Sequence, residues 1–209
     1  MYKGVIFDLD GTLIDTIKDL ASASNYTLKY FKKEELEIDV IKGYVGNGIK
    51  KLIDRLFDNN TPKEAFDIFI SYYLNHVDVY TKPYDGMVQT LKLLKEKGIK
   101  IAVLTNKIEK ATKELLDKFF NGLIDIFIGD NLKRNKKPSP DGVYEILDYF
   151  KLKNNEVMYV GDSLVDMETS INAHLDFMFV KWGFLNKKDY KLIKSKYQIA
   201  KPIELLNYF

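Results

Sequence analysis

The sequence predicts an α/β fold built on a parallel β-sheet with helices on both faces. Short apolar runs alternate with amphipathic stretches of about 10 to 15 residues, which is the pattern of repeated strand–helix units. The runs are apolar almost throughout instead of alternating with polar residues, as expected of strands buried on both faces. A long interval after the first run interrupts the alternation and indicates an insertion.

Five apolar runs are predicted to be buried strands, and four segments of helical periodicity lie between or after them. The predicted strands are 4–8, 100–105, 124–128, 157–160 and 177–180. The predicted helices are 84–97, 107–120, 139–150 and 164–174. In such a sheet the carboxyl ends of the strands meet at one edge, where ligands bind.

The interval between the first two predicted strands, about 14–82, is far longer than a single crossover helix requires. It shows helical patterns throughout and no convincing buried strand. We therefore expect a helical insert with a small aromatic core of its own. Its two connections to the sheet, 13–16 and 80–83, are the predicted hinges.

Composition excludes several classes of protein. The 209 residues include 32 Lys and Arg against 30 Asp and Glu, so the net charge of +2 provides no field to hold a nucleic acid. The absence of cysteine excludes disulfides, thiolate metal sites and cysteine nucleophiles. No run approaches the roughly 18 apolar residues of a membrane span, and the first ten residues do not resemble a signal peptide. We expect a cytoplasmic protein with neither a nucleic acid nor a membrane as partner.

Two aspartates, separated by one residue, lie at the end of the first predicted strand. Asp8 and Asp10 would point to the same side, Gly11 then turns the chain, and Thr12 adds a hydroxyl. Two carboxylates at this distance repel each other and need a cation or a shared proton. The alternative is an ordinary strand end followed by an Asp-Gly turn.

Polar clusters at three further places favour a functional site over that alternative. They are Thr105-Asn106, Lys137-Pro138, and Gly161-Asp162-Ser163 with Asp166. Together with the first strand end they would gather several carboxylates, a hydroxyl and an ammonium at one edge of the sheet. Carboxylate oxygens suit a hard cation such as Mg²⁺, whereas an ammonium and a hydroxyl suit phosphoryl oxygens. An aspartate can also attack phosphorus, and a second carboxyl can protonate the leaving alcohol.

The four segments FDLDGT, VLTN, KKP and GDSLVD resemble, in this order, the four motifs of the haloacid dehalogenase superfamily. The resemblance implies a Rossmann-like catalytic core formed by 1–14 and 82–209, with a small α-helical cap domain formed by 15–81. Dehalogenases of the superfamily lack an aspartate at the position of Asp10 and need no metal. The chain therefore resembles the phosphatase branch.

The resemblance also implies roles for the residues of the four motifs. Asp8 would be the nucleophile, and Asp10 would act first as general acid and then as general base. Thr105 and Lys137 would hold the phosphoryl oxygens, with Asn106 close by as a further substrate-binding residue.

A magnesium ion is the cofactor that this resemblance implies. It would be held by the carboxylates of Asp8 and Asp162 and by the main-chain carbonyl of Asp10. Asp166 would orient metal-bound waters or Lys137. Thr12, counted with the substrate-binding residues, would support the loop and position Asp10.

Within the insert, the segments 15–30 and 43–57 resemble the cap of phosphoglycolate phosphatases, as does 82–107 beyond it. The VGNG element would place Gly46, Asn47 and Gly48 at the substrate. The alternative is a plain helix N-terminus capped by Asn47.

Three cations follow this element and could neutralise a substrate carboxylate. They are Lys50, Lys51 and Arg55. The alternative is that they form a solvated helix face, as such runs commonly do.

The expected function is Mg²⁺-dependent hydrolysis of a small phosphorylated metabolite through an aspartyl-phosphate, with 2-phosphoglycolate as the favoured substrate. A β-phosphoglucomutase-like enzyme is disfavoured, because such mutases carry a histidine on the helix after the first motif, where this chain has Leu20. Pyrophosphatase and nucleotidase activities remain open, as does a non-catalytic phosphate-binding regulator.

The sequence GDN at 129–131, where the family usually has GGD, bears on the substrate rather than on the chemistry. His76 and His174 are interpreted as structural or surface residues.

Overall fold

Strands and helices alternate along most of the chain in the computed structural model, which describes residues 2–209. The strands are β1 (Gly4–Phe7), β2 (Ile14–Asp15), β3 (Lys82–Pro83), β4 (Lys100–Ile108), β5 (Ile126–Asp130), β6 (Val157–Gly161), β7 (Asp176–Val180) and β8 (Tyr197–Ile199). The α-helices are α1 (Ile17–Tyr30), α2 (Ile38–Lys42), α3 (Ile49–Leu56), α4 (Ala65–Leu74), α5 (Met87–Glu96), α6 (Glu109–Phe120), α7 (Asp141–Phe150) and α8 (Leu164–Asn172). Short 3-10 segments occupy Asn154–Glu156, Lys187–Leu192 and Pro202–Asn207.

A six-stranded parallel sheet in the order β5-β4-β1-β6-β7-β8 forms the centre of the molecule. Strand β1 lies between β4 and β6, and Phe7 is in register with both Val103 and Val160. Successive residues of β1 enter different apolar clusters: Val5 and Phe7 join one, and Ile6 joins the other. Both faces of the sheet are therefore buried, which confirms the predicted α/β fold and explains the continuous apolar runs.

The five predicted strands are all present, and one further strand joins the sheet. Strand β8 was missed because its three residues are half-buried, exposed and buried in turn, and so form no apolar run. Strand β4 also continues to Ile108, three residues beyond the predicted end at 105. This extension carries Asn106 and Lys107 beyond the end of β1.

The helical insert, α1 to α4, joins the sheet through two connections that run side by side. Ile14 pairs with Pro83 and Asp15 with Lys82, so β2 and β3 form a short antiparallel ribbon. The interval was expected to contain no convincing buried strand, and the strands at its two ends have only two residues each, too short to leave an apolar signature. We propose the predicted boundaries, 15–81, as the limits of this cap.

A buried carboxylate holds the two connections together. Asp19 on α1 accepts hydrogen bonds from the backbone N–H groups of Tyr80 and Thr81, at 3.1 and 2.8 Å, and from the Thr81 hydroxyl at 2.7 Å. Only 1% of Asp19 is exposed. Because a buried carboxylate is costly unless it is hydrogen-bonded, these contacts define one arrangement of the ribbon.

Aromatic rings fill the interior of the cap, but they share one apolar cluster with a face of the sheet, so the expectation of a separate core was wrong. Phe57, Phe69 and Tyr73 are buried in this cluster, and Phe31 packs edge-on against Phe57 at 5.4 Å. Each such ring contributes about 1.5 to 3 kcal/mol through removal of apolar surface from water.

Both histidines have structural settings. The His76 ring stacks on Tyr72 at 4.1 Å, and His174 follows α8 with a left-handed φ of 56°. Neither lies among the residues that line the cavity next to Asp8 and Asp10.

Within residues 2–209, the helices do not combine the length and the apolar character needed to span a bilayer.

Candidate active site

Asp8 stands at the carboxyl end of β1 and forms an ion pair with Lys137. Its backbone N–H donates to the Val160 carbonyl at 2.9 Å, which continues the pairing with β6. Its carboxylate atom Oδ1 accepts from the Lys137 Nζ atom at 2.7 Å. Both residues are buried, with 7% and 8% of their surfaces exposed. The predicted nucleophile and the predicted phosphate-binding lysine are therefore brought together.

Asp166 holds the same lysine from the other side. Its Oδ1 atom accepts from Lys137 Nζ at 2.7 Å and from the Tyr159 hydroxyl at 3.3 Å. Its Oδ2 atom accepts from the backbone N–H and the hydroxyl of Ser163, at 3.1 and 2.6 Å. The Ser163 hydroxyl in turn accepts from the Asp166 N–H, so the two residues form a capping box that begins α8. Protein donors thus occupy both oxygens of Asp166.

Asp162 lies at the end of β6, where two other segments approach it closely. Its Oδ2 atom accepts from the Phe184 N–H at 2.5 Å, and its Oδ1 atom accepts from the Thr12 hydroxyl at 3.4 Å. A side chain at Gly11 or Gly183 would collide with Asp162, and Gly11 also has a left-handed φ of 87°. Glycine is required at both positions for the loops to pack around this carboxylate.

The buried carboxylates carry more negative charge than their neighbours neutralise. Asp8, Asp162 and Asp166 offer oxygens that lie within 4.8 Å of one another, and Lys137 is the ammonium in contact with two of them. Burial and the nearby Asp166 raise the pKa of Asp8 to about 7, although Lys137 opposes the shift. Burial and Asp166 likewise raise the pKa of Asp162 well above its usual value. A hard divalent cation would relieve this repulsion, so the donor set fits such an ion.

Asp10 is held by two donors on one oxygen. Its Oδ1 atom accepts from the Thr16 hydroxyl at 2.7 Å and from Lys107 Nζ at 2.8 Å. Thr12 was expected to position Asp10 and to bind substrate, but it is fully buried and donates to Asp162 instead. The hydroxyl that contacts Asp10 is instead that of Thr16, four residues later, because the turn after Asp10 directs Thr12 toward Asp162 at the end of β6.

Lys107 is a site residue that the sequence analysis missed. It is 4% exposed and contacts both Asp10 and the Tyr73 hydroxyl. Burial alone would lower the pKa of Lys107, but Asp10 and Tyr73 raise it above its usual value, so the ammonium stays charged. The available signal was strand spacing, since Lys107 follows Thr105 by two residues and a regular strand would place both on one face. The strand is in fact irregular between Leu104 and Ile108, and Thr105, Asn106 and Lys107 all line the cavity.

Thr105 and Asn106 extend the site along β4. Thr105 lines the cavity next to Asp8 and Asp10, and its hydroxyl oxygen accepts from the Lys107 N–H at 3.2 Å. The Asn106 amide group accepts from the Lys137 N–H at 2.9 Å and donates to the carbonyls of Lys137 and Gly46, at 3.1 and 3.2 Å. Asn106 therefore connects the loop that carries Lys137, the lysine loop, and Gly46 of the cap to the end of β4.

A cavity of about 170 Å³ lies between these carboxylates and the cap. Gly46 and Gly48 line it, as predicted for the VGNG element, but Asn47 does not. A helix does begin at this point, yet Gly48 occupies the N-cap position of α3 with no side-chain cap. Capping by Asn47, the alternative raised from the sequence, is therefore wrong.

The cations that follow the VGNG element do not line this cavity. Lys50 and Lys51 are exposed, and Arg55 donates to the Tyr44 carbonyl at 2.7 Å. The exposure of Lys50 and Lys51 favours the interpretation of a solvated helix face for these two residues, whereas Arg55 is half-buried. The cavity is instead lined by Lys42 at the end of α2, whose ammonium lies 5.8 Å from the centre of the Phe184 ring.

Comparison with known proteins places the chain in a family. Residues 5–180 match the model of the haloacid dehalogenase-like hydrolases. The chain is 36% identical over 182 residues to a phosphoglycolate phosphatase of Aquifex aeolicus, covering 87% of this chain and 85% of the relative. It is 34% identical to a phosphoglycolate phosphatase of Nitrosospira multiformis, covering 97% and 96% of the two chains.

A solved structure agrees with these relatives. It is that of a protein from Lactobacillus delbrueckii subsp. bulgaricus, proposed to be a phosphoglycolate phosphatase, and it superposes with a TM-score of 0.92. The sequences are 27% identical, and the match covers 99% of this chain and 98% of the other. The chain described here therefore belongs to the haloacid dehalogenase-like hydrolases, the superfamily that its four motifs predicted, and it is an enzyme.

Proposed function

We propose that this enzyme is a Mg²⁺-dependent phosphomonoesterase and that 2-phosphoglycolate is its preferred substrate. The observation that carries the proposal is the ion pair between Asp8 and Lys137 inside a cluster of buried carboxylates at the edge of the sheet. Two relatives that match most of the chain are phosphoglycolate phosphatases, which supports the choice of substrate.

The proposed chemistry proceeds in two displacements at phosphorus. A carboxylate oxygen of Asp8 forms a bond to phosphorus while the ester P–O bond breaks, and Asp10 delivers its proton to the departing oxygen. Water then attacks the aspartyl-phosphate as Asp10 takes up a proton, which releases phosphate and restores Asp8. Thr105 and Lys137 hold the phosphoryl oxygens during both steps.

The carboxylates of Asp8 and Asp162, with the main-chain carbonyl of Asp10, would hold the magnesium ion. When bound, the ion would offset the negative charge that the phosphoryl group and these carboxylates share. Asp166 is better suited to hold Lys137, because protein donors already occupy both of its oxygens.

The small volume of the cavity and a lysine in its lining support a small acidic substrate. Its volume of about 170 Å³ lies below the roughly 300 to 1,000 Å³ typical of sites for drug-sized ligands. Lys42 and Lys107 are the cations among the described residues that line it, and Lys107 is already paired with Asp10. Lys42 is therefore the side chain that we assign to the substrate carboxylate, in place of the cations on α3.

Phosphate release from a panel of phosphorylated compounds, with Mg²⁺ and with EDTA, tests this proposal. The panel contains 2-phosphoglycolate, pyrophosphate, nucleoside monophosphates and β-glucose 1-phosphate. A preference for 2-phosphoglycolate that is lost in EDTA is the expected result. Preference for another member would replace the substrate, and no turnover of any member would favour a phosphate-binding regulator.

A further inference from the structure

Lys107 connects the catalytic edge of the sheet to the cap. Its ammonium donates to Asp10 Oδ1 at 2.8 Å and also to the Tyr73 hydroxyl. A buried ammonium is costly unless it is paired and hydrogen-bonded. Asp10, Lys107 and Tyr73 therefore form one hydrogen-bonded unit.

This unit spans the two parts of the molecule. Lys107 belongs to β4 of the sheet, whereas Tyr73 belongs to α4 of the cap. Tyr73 is fully buried, and its ring centre lies 4.9 Å from Lys107 Nζ and 5.7 Å from the ring of Phe69. Movement of α4 away from the sheet would remove this hydroxyl from Lys107.

The two oxygens of Asp10 have different surroundings. Oδ1 accepts from both Lys107 and the Thr16 hydroxyl. Oδ2 accepts no hydrogen bond from the residues that the structure describes, and Asp10 lines the cavity. Two donors on one oxygen define the orientation of the carboxyl group and leave the other oxygen for proton exchange with the leaving group.

We propose that Lys107 is a positioning residue for Asp10 and that Tyr73 makes this positioning depend on the cap lying against the core. The inference rests on the proposed phosphatase function, in which Asp10 is the general acid. A proton donor placed by the cap would act only when the cap covers the substrate. Premature proton transfer in the open enzyme would thereby be avoided.

Tyr73→Phe tests this role because it removes the hydroxyl and keeps the ring. The measurement is kcat/KM for 2-phosphoglycolate and for p-nitrophenyl phosphate, which reports the first transfer of the phosphoryl group. The nitrophenolate leaves without protonation, whereas the alkoxide of glycolate requires it. We expect kcat/KM to fall about tenfold for 2-phosphoglycolate and less than about twofold for p-nitrophenyl phosphate.

Lys107→Met should show the same preference with a larger loss, of about 100-fold for 2-phosphoglycolate. Tyr72→Phe is the matched control, since Tyr72 is the neighbouring residue on α4 and its ring stacks on Tyr26 at 4.2 Å. It should leave both substrates unaffected. If Lys107→Met fails to fold, Tyr73→Phe alone decides.

Equal losses of kcat/KM on the two substrates would show a merely structural role for Tyr73 and overturn the inference. Wild-type values for Tyr73→Phe on both substrates would also overturn it. A wild-type enzyme that releases phosphate from neither substrate would contradict the proposed function itself, and the inference would fall with it.

Discussion

Lys137 and Asp8 are 129 positions apart in the chain, yet the Nζ atom of the lysine lies 2.7 Å from the Oδ1 atom of the aspartate. Asn106 makes this contact possible, because its amide group bonds to both the N–H and the carbonyl of Lys137. The end of β4 thus holds the lysine loop across the end of β1. The ion pair depends on three separate segments and on the parallel order of the sheet.

Replacement of the nucleophile should abolish turnover without unfolding the protein. Asp8→Asn keeps the shape of the side chain and removes its negative charge, so we expect a loss of kcat of at least about 10³-fold. Phosphate release from 2-phosphoglycolate measures the effect. Asp85→Asn, at an exposed turn, is the control for loss of an aspartate. Full activity in Asp8→Asn would mean that another residue attacks phosphorus.

The same substitution should stabilise the metal-free protein at alkaline pH. Burial and Asp166 raise the pKa of Asp8 to about 7, above an ordinary value of about 3.9. The folded state binds the proton of Asp8 more tightly than the unfolded chain does. The contribution of Asp8 to the free energy of unfolding is therefore most favourable below about pH 4 and is lost as the pH rises through about 7.

Urea unfolding in EDTA at pH 5 and pH 8 measures this effect. Asp8→Asn should be more stable than the wild-type protein at pH 8, and its advantage should shrink toward pH 5. Added Mg²⁺ should remove the advantage by stabilising the wild-type carboxylate. A difference in the free energy of unfolding that does not vary with pH would contradict the assignment of the raised pKa to Asp8.

Loss of Lys42 should weaken recognition of the substrate carboxylate and leave the chemistry intact. For Lys42→Met we expect KM for 2-phosphoglycolate to rise about tenfold, since a charge-assisted hydrogen bond contributes about 1.5 to 3 kcal/mol. Ethyl phosphate, which lacks the carboxylate, should show no such rise. Lys50→Met is the matched control, because Lys50 lies on the same cap and does not line the catalytic cavity. A tenfold rise of KM in Lys50→Met and none in Lys42→Met would mean that the cations of α3, and not Lys42, recognise the substrate carboxylate.

The ribbon between cap and core should depend on Asp19. Asp19→Ala leaves the N–H groups of Tyr80 and Thr81 without their acceptor, so we expect a loss of about 2 to 3 kcal/mol in the free energy of unfolding. Chemical denaturation measures this loss, with Asp39→Ala, an exposed aspartate on α2, as the control. Limited proteolysis should also show faster cleavage at 80–83. Unchanged stability would mean that the apolar contacts of the cap hold the ribbon without the carboxylate.

The sequence by itself determined five of the six strands of the sheet and the family, and its four motifs named residues that the structure gathers at one edge. Asp8, Thr105 and Asp162 follow apolar runs, and a parallel sheet brings the ends of such runs to one edge whatever the details of packing. Lys137 does not follow a strand directly, because it lies in the loop between β5 and α7, and its contact with Asp8 depends on the amide group of Asn106.

The tertiary structure alone decided which side chains of the cap reach the site. Lys42 lines the cavity while Lys50 and Lys51 are exposed, because the orientation of the cap depends on how α1 to α4 pack and not on the local composition of any one helix. The contact of Tyr73 with Lys107 joins residues on two parts of the fold, and neither residue belongs to one of the four motifs. Local periodicity describes the face of a single element, whereas contacts between the cap and the core arise only after the chain has folded.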